Sequence, residues 1–522
     1  MNIEKILKGE LIVDTEKIIN ADIYGGGVNF AFSDYVYYDF IHGGGFNLHL
    51  PYVPYNENDE EAFKEFFSIL DYTGMQYVRL QVSYTMWEPI NDNDDPFNTD
   101  FDKGFIFSPN FKERAKADRV PENTFEYMRR FYHLLDYFEQ KNIFVILGNW
   151  SGGTAASGFC PDNKCWLAPE NVKMDRRSLH VTDVDEFAET FAAIMYHLII
   201  EKGYTCVKGF SIYNEPEKFI NYESVLAKVY NKCGEHLKRL GIRDKVLIQA
   251  IDGPVLWCLE KGMSTDIYEK LLKNCGENMD IISIHHYVST LEGGTLDGDR
   301  VQGTISSRLI NDFVKPIISK SDGRPVVIGE LGTAAFSNPN NIEIGKKDIR
   351  LQIFNAEAVI ASFNSGIKGY ALWDFNTIVH PYFTMLDIDP DNEYHLIPDS
   401  VNYYPASLMI KYLPKGTNIV NTTVIGCRDE EIQRVYATVG VNNDDMTILM
   451  VNEGEKSVDF KINGIKCTKP FYYHYICREK THGIFTEGQI KISNMTEVRL
   501  PELSIVVLTT YEHGKFKYNS ER

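Results

Sequence analysis

The sequence predicts a (β/α)8 barrel followed by an all-β sandwich. Three observations carry that reading. Eight short apolar runs alternate with helix-period segments between residues 21 and 412. After Pro414 the helical period disappears and short β-like runs follow one another. Finally, two glutamates end the fourth and the seventh apolar runs, which an eight-membered ring places nearly opposite each other. With 522 residues the chain has room for one large domain and a smaller one, at about 100–200 residues per domain.

The predicted strands are Tyr24–Phe32, Tyr77–Ser83, Ile143–Trp150, Val207–Glu215, Lys245–Ile251, Ile281–Tyr287, Val326–Leu331 and Lys368–Phe375. They barely alternate between apolar and polar, which suits parallel strands covered on both faces. Phe63, Phe66, Phe67 and Leu70 mark one face of a helix between the first two. Phe187, Phe191, Ile194, Met195 and Leu198 mark another, with Thr182 or Asp183 placed to cap it. Leu226, Val229, Cys233 and Leu237 precede a stop at Gly241, and Lys347–Phe363 precedes one at Gly366. Tyr404–Tyr412 follows the eighth strand. A doubly wound sheet fits less well, because no strand leads into a G-x-G-x-x-G turn. The glycine triplets 25–27 and 43–45 read as tight backbone turns.

The barrel is placed at 21–412 and the sandwich at 413–522. The sandwich runs are Thr422–Ile425, Gln433–Val441, Met446–Asn452, Val458–Ile462, Gln489–Ile492, Glu497–Leu500 and Ser504–Thr509. Gly9–Ile19 also reads as a strand, and 1–20 is expected to join this sandwich. Two long segments, Tyr84–Pro121 and Asn376–Asn402, follow the second and eighth strands and would rise on the face where a barrel does its chemistry. Asp387, Asp389 and Asp391 hold the first three positions of a calcium loop. Asn392 stands at the turn glycine and Pro398 at the closing glutamate, so solvated carboxylates are the better reading.

Composition narrows the function classes. Hydrophobic residues make up 44% and the formal charge is −20. Such an acidic surface repels phosphate backbones and anionic membranes, so neither nucleic acid nor membrane is an expected partner. No apolar run reaches 18 residues and the N-terminus has no signal-like core, so a cytoplasmic location is expected. The nine cysteines are scattered and read as reduced thiols, with only Cys160 and Cys165 close together.

The two strand-end carboxyls are the chemical core. Glu215 lies in Asn214-Glu215-Pro216 and Glu330 in Gly329-Glu330-Leu331-Gly332. Carboxyls facing each other across a barrel mouth suit an acetal: one gives a proton to the leaving oxygen while the other attacks or shields the developing oxocarbenium ion. Each alone would be an ordinary charged strand end; together they point to catalysis. His285 and His286 are adjacent and point to opposite sides of a strand. His285 shares a face with Tyr287, and His286 reads as a packed structural histidine.

These motifs resemble clan A glycoside hydrolases, the retaining (β/α)8 glycosidases. Asn214-Glu215-Pro216 with Ile328-Gly329-Glu330 is similar to their signature. Arg79 in Val78-Arg79-Leu80 falls at the second strand, where they keep an arginine. His285-His286-Tyr287 matches His-x-Tyr of the cellulase-like family 5, and Trp373 in Leu372-Trp373-Asp374 falls where the clan often has a tryptophan floor. Family 5 usually has a histidine late in the third strand, where this chain reads Leu147-Gly148-Asn149-Trp150. The C-terminal part, with Leu500-Pro501-Glu502-Leu503-Ser504, resembles sandwiches appended in several clan A families.

The resemblance implies Glu215 as general acid/base and Glu330 as the nucleophile. Arg79 and Tyr287 would be the partners of Glu330, and Asn214 would bind the sugar 2-hydroxyl. Asn149, Trp150, His285 and Trp373 are the further substrate-binding candidates, with Trp373 ranked above Trp150 and both above Trp87, Trp166 and Trp257. It implies a cofactor-free, metal-free β-glycosidase with the two carboxyls about 5–5.5 Å apart. The expected substrates are oligosaccharides or glycosides of glucose, mannose or xylose, attacked from the chain end. Three rivals are a metal-dependent barrel hydrolase, disfavoured because the first strand has no histidine, a catalytically silent sugar-binding barrel, and a transglycosidase. No feature points to a particular oligomeric state.

Overall fold

The computed structural model describes residues 7–30, 60–82, 124–149, 184–216, 222–254, 266–289, 314–334, 349–375, 384–389, 392–399, 401–429, 432–492 and 496–512. Tyr84–Pro121, Trp87, Trp150, Trp166, Trp257 and glycines 43–45 lie outside them.

Eight parallel strands close into a barrel in chain order: β2 (Gly25–Phe30), β3 (Tyr77–Val82), β4 (Phe144–Asn149), β5 (Val207–Ser211), β6 (Leu247–Pro254), β7 (Ile281–Ser289), β8 (Val326–Ala334) and β9 (Gly369–Leu372). Strand β9 pairs with β2 to seal it. Outside run α1 (Glu60–Thr73), α2 (Thr124–Gln140), α3 (Val184–Tyr196), α4 (Tyr222–Arg239), α5 (Asp266–Cys275), α6 (Lys315–Lys320), α7 (Ile349–Ser365) and α8 (Tyr403–Lys411). Strand residues divide by parity: Val78, Leu80 and Val82 pack on the helices, while Tyr77, Phe144, Ile146, Ile281, Val327 and Ala371 cluster in the interior. Both faces are apolar over the lower layers, which is why the sequence runs barely alternate. No described helix is long and apolar enough to cross a membrane.

The glycines 25–27 are strand, not turn. Gly26 sits against the Tyr370 ring, and a Cβ on Gly27 would overlap the Tyr77 carbonyl oxygen. Only glycine lets β2 lie this close to its neighbours.

The second sheet has nine strands. These are β1 (Leu7–Asn20), β12 (Asn418–Gly426), β15 (Val435–Asn442), β16 (Asp445–Asn452), β17 (Val458–Asn463), β18 (Phe471–Cys477), β19 (Lys480–Ile490), β20 (Thr496–Leu500) and β21 (Ser504–Thr509). β1 runs antiparallel to β12 and parallel to β17, so the start of the chain is built into this sheet. The sheet folds over on itself: the Tyr473 hydroxyl of β18 donates to the Arg499 carbonyl of β20 although the two strands sit near opposite ends of the strand order. Leu11, Ile448, Met450, Phe460, Val498 and Val506 fill the enclosed core. Four further strands complete the chain order among the described residues. β10 (Leu386–Asp389) and β11 (Asn392–Pro398) pair antiparallel, Asp387 with Ile397 and Asp389 with Asn392, with a register shift between Ile388 and Asp389; Asp391 lies outside the described residues. β13 (Arg428–Asp429) and β14 (Ile432–Gln433) form a small second hairpin.

Helices α7 and α8 join the two cores. α7 is buried along almost its whole length, with the barrel on one side and β15 and β16 on the other. A helix covered on both sides needs no polar face. Asn364 at its end donates to the Ala437 carbonyl at 2.9 Å and accepts from Thr438 at 2.7 Å. Asn20 of β1 donates to the Phe363 and Ile367 carbonyls at 3.1 and 2.7 Å.

Candidate active site

Arg79 organises the barrel mouth. It is fully buried on β3, next to Asn29 of β2. Nη1 donates to Glu330 Oε1 at 2.8 Å and to Asn29 Oδ1 at 3.1 Å. Nη2 donates to Asn214 Oδ1 at 2.9 Å and to the Asp252 carboxylate. A buried cation survives only with anions and acceptors of this kind around it.

Glu330, on β8, is held from two sides. Arg79 takes Oε1, and the Tyr287 hydroxyl donates to Oε2 at 2.6 Å. Burial first, then the Glu330 charge, push the Tyr287 hydroxyl well above its ordinary range. The phenol is therefore a fixed hydrogen-bond donor.

Glu215 does not stand on a strand. β5 stops at Ser211, and the predicted Val207–Glu215 run bends out of the ladder. Glu215 has φ 50°, left-handed and immediately before a proline, where an ordinary residue is strained. Its N–H donates to the Asp252 carbonyl at 2.9 Å, which holds that bend.

His285 lies between the carboxyls. Nδ1 is 3.2 Å from Glu215 Oε1 and 3.4 Å from Glu330 Oε2, and Nε2 is 3.2 Å from Asp252 Oδ1. Ligating atoms of Glu215, His285 and Glu330 lie within 4.8 Å of one another. Three such groups could also hold a divalent cation. The Arg79 guanidinium, paired with Glu330 and Asp252, already supplies positive charge there and would repel a second cation.

The remaining sequence candidates are spread around this cluster. Asn214 gives its Oδ1 to Arg79. Asn149 ends β4, buried, and donates to the Ile212 carbonyl at 3.0 Å, so it braces the segment leading to Glu215. Trp373 is half-buried just beyond β9, its N–H bonded to the Leu331 carbonyl at 2.8 Å. His286 is buried, and burial pushes its imidazole down to about 4.

Three residues of the cluster escaped the sequence reading. Asn29 donates to the Gly329 carbonyl at 2.9 Å while accepting from Arg79. Asp252, fully buried at the end of β6, accepts from Arg79, Ser211, Ser283, His285 and Gln249. Burial alone would raise its carboxyl; the Arg79 charge, His285 and Ser283 outweigh it and hold it well below the usual carboxylate range. Asp374 is fully buried, and among the described residues neither carboxyl oxygen has a hydrogen-bond partner. Burial, then the Glu330 charge, push it well above the ordinary value. Only Asp252 offered a signal: an acidic residue just past a strand, beside Gly253-Pro254.

No family model matches the chain, and no curated protein matches it. Solved structures do. A family 30 glycoside hydrolase endoxylanase from Clostridium papyrosolvens C71 superposes with TM-score 0.57 at 14% identity, covering 96% of this chain and 99% of that one. An α-L-arabinofuranosidase from Thermotoga maritima, in complex with arabinose, gives 0.60 at 14% identity, with 96% and 99% covered. A conserved exported protein from Bacteroides fragilis gives 0.63 at 9% identity, with 96% and 100% covered. At these identities the likeness is one of fold, and it extends over barrel and sandwich together.

Proposed function

We propose that the chain is a retaining glycoside hydrolase, with Glu330 as nucleophile and Glu215 as general acid/base. One observation carries the reading: the carboxyls of Glu215 and Glu330 approach within 4.8 Å across the barrel mouth. Oxygens this close support double displacement, in which the second carboxylate itself attacks. An inverting pair stands about 6.5–9.5 Å apart to admit a water. The fold likeness to a xylanase and an arabinofuranosidase supports the same class.

In the first step Glu330 bonds to the anomeric carbon as the glycosidic bond breaks, and Glu215 gives its proton to the leaving oxygen. In the second, Glu215 takes a proton from water, the water oxygen attacks the anomeric carbon, and the Glu330 ester bond breaks. Arg79 and Tyr287 aim Glu330, one on each oxygen. Asn214 has its Oδ1 committed to Arg79, which leaves Nδ2 for a sugar hydroxyl. Trp373 supplies a ring face for the sugar. The proposed substrates are short glycosides cut from the end, with no cofactor taking part.

The test is a panel of aryl β-D-gluco-, manno-, xylo-, galacto- and fucosides, with an α-L-arabinofuranoside added. Wild type is compared with Glu215→Ala and Glu330→Ala. Turnover of one glycone, abolished in the Glu330 variant and restored in part by azide, is expected. Turnover that survives Glu330→Ala overturns the assignment. Faster release of internal fragments from a polysaccharide than of monosaccharide from a disaccharide overturns the end-cutting part.

A further inference from the structure

We infer that Asp252 is the positioning residue that orients His285 so that its Nδ1 accepts the proton side of Glu215. The inference rests on the glycosidase reading above. Asp252 reaches both sides of the site at once. Its Oδ2 accepts from Arg79 and, at 2.7 Å, from Ser211. Its Oδ1 accepts from Ser283, from Gln249 at 3.4 Å and from His285 Nε2 at 3.2 Å. Its main-chain carbonyl accepts the Glu215 N–H at 2.9 Å. It therefore grips Glu215 by the backbone and by the imidazole, and it shares Arg79 with Glu330.

The chemistry follows from donor and acceptor counts. A carboxylate only accepts, and Asp252 is surrounded by donors that keep it a carboxylate. A neutral imidazole then carries its proton on Nε2, pointing at Asp252. Nδ1 is left as a lone pair, 3.2 Å from Glu215 Oε1 and 3.4 Å from Glu330 Oε2, the latter oxygen already accepting from the Tyr287 hydroxyl. A lone pair there suits Glu215 as a proton-bearing acid, because the carboxyl O–H can donate to it. With the opposite tautomer, Nδ1–H would donate to Glu215 and favour its carboxylate, the wrong state for protonating a leaving group. Asp252 is fully buried, so it acts through His285 rather than on the sugar itself.

Asp252→Asn separates this role from a structural one. Arg79 can only donate, so the introduced amide must keep its oxygen toward Arg79. Its NH2 then faces His285 Nε2 and forces the proton to Nδ1. For the glycone that wild type turns over, kcat/KM on an alkyl or phenyl glycoside should fall by roughly 100-fold or more, the worth of a general acid. On the 2,4-dinitrophenyl glycoside, whose leaving group needs no proton, it should fall by about threefold at most, because only the acid is lost. Equal losses on both overturn the proposal.

The wild-type chain offers a second arm that needs no variant to fold. Imidazole 15N–1H correlations of histidine-labelled protein, with His285 assigned by His285→Gln, should place its single proton on Nε2. A proton on Nδ1, or on both nitrogens, overturns the proposal. If wild type turns over no glycoside, the glycosidase reading fails by itself, and the tautomer still decides whether Asp252 orients His285.

Discussion

Two clusters of acidic side chains are sealed inside this chain, and they are managed in opposite ways. At the barrel mouth Asp252 and Glu330 flank Arg79, and Asp252 is held well below the usual carboxylate range. At the seam between barrel and sandwich, Glu357 of α7 and Glu453 beyond β16 are 1% and 3% exposed. There burial, then the Glu357 charge, push Glu453 well above its ordinary value, and Arg434 offsets only part of this. Burial has the same sign in both places. What differs is whether a guanidinium with its hydrogens aimed at the carboxylate outweighs it. Beside Arg79 the mouth keeps Asp252 as a carboxylate, while Glu453 at the seam, like Asp374 away from the guanidinium, behaves as a neutral polar group.

The largest effect should come from breaking the mouth chemically. Glu330→Ala should lower kcat on an aryl glycoside by roughly 10⁴-fold or more. Urea unfolding should remain cooperative, because Arg79 keeps Asp252 as its counter-charge. Arg79→Met should break the comparison itself, by giving the mouth what the seam has: buried carboxyls without a cation. The cost should be about 3–5 kcal/mol in urea unfolding. A loss below 1 kcal/mol would mean that Arg79 is not the counter-ion it appears from its contacts.

The pH dependence has opposite signs at the two ends. Glu453 binds its proton more tightly folded than unfolded, so its contribution is complete below its ordinary value of 4.5 and is lost as pH rises through the higher folded value. Within that window the slope is up to about 1.4 kcal/mol per pH unit. Glu453→Gln should flatten the alkaline fall in unfolding midpoint by one proton; parallel curves for variant and wild type would contradict the account. Asp252 works the other way. Its contribution is complete above 3.8 and is lost as pH falls toward its lower folded value. The smallest effect belongs to an exposed carboxylate. Glu16, paired with Lys466 at 2.8 Å in open solvent, should leave the midpoint unchanged on Glu16→Gln.

The same contrast separates what could be read in the sequence from what could not. The barrel was legible because short apolar runs alternate locally with helix-period segments along the chain. Glu215 and Glu330 stood out because each closes such a run on nearly opposite sides of a barrel, while Arg79 and Tyr287 came from the resemblance of Val78-Arg79-Leu80 and His285-His286-Tyr287 to clan A motifs. Asn29 and Asp374 were not legible, and Asp252 showed only as an acidic residue just past a predicted strand. Each is a lone polar residue in or beside an apolar run, and its surroundings come from strands far away in sequence: Asp252 meets Arg79 173 residues away. Strand β18 was missed for a related reason. Tyr473 and Tyr475 fill the sandwich core, while His474 stacks on Tyr412 with ring centroids 5.0 Å apart and Ile476 joins the barrel-side core. With both faces covered, Phe471–Cys477 has no alternation to read. The glycine run 25–27 misled because its reason, the Tyr77 carbonyl and the Tyr370 ring, lies on other strands.

The central claim is that two carboxyls this close carry out two displacements. Proton NMR of the first product formed from an aryl glycoside tests it most directly. The account predicts that the anomer released first has the configuration of the substrate and mutarotates afterwards. Release of the opposite anomer first would mean single displacement by water, and would contradict Glu330 as nucleophile.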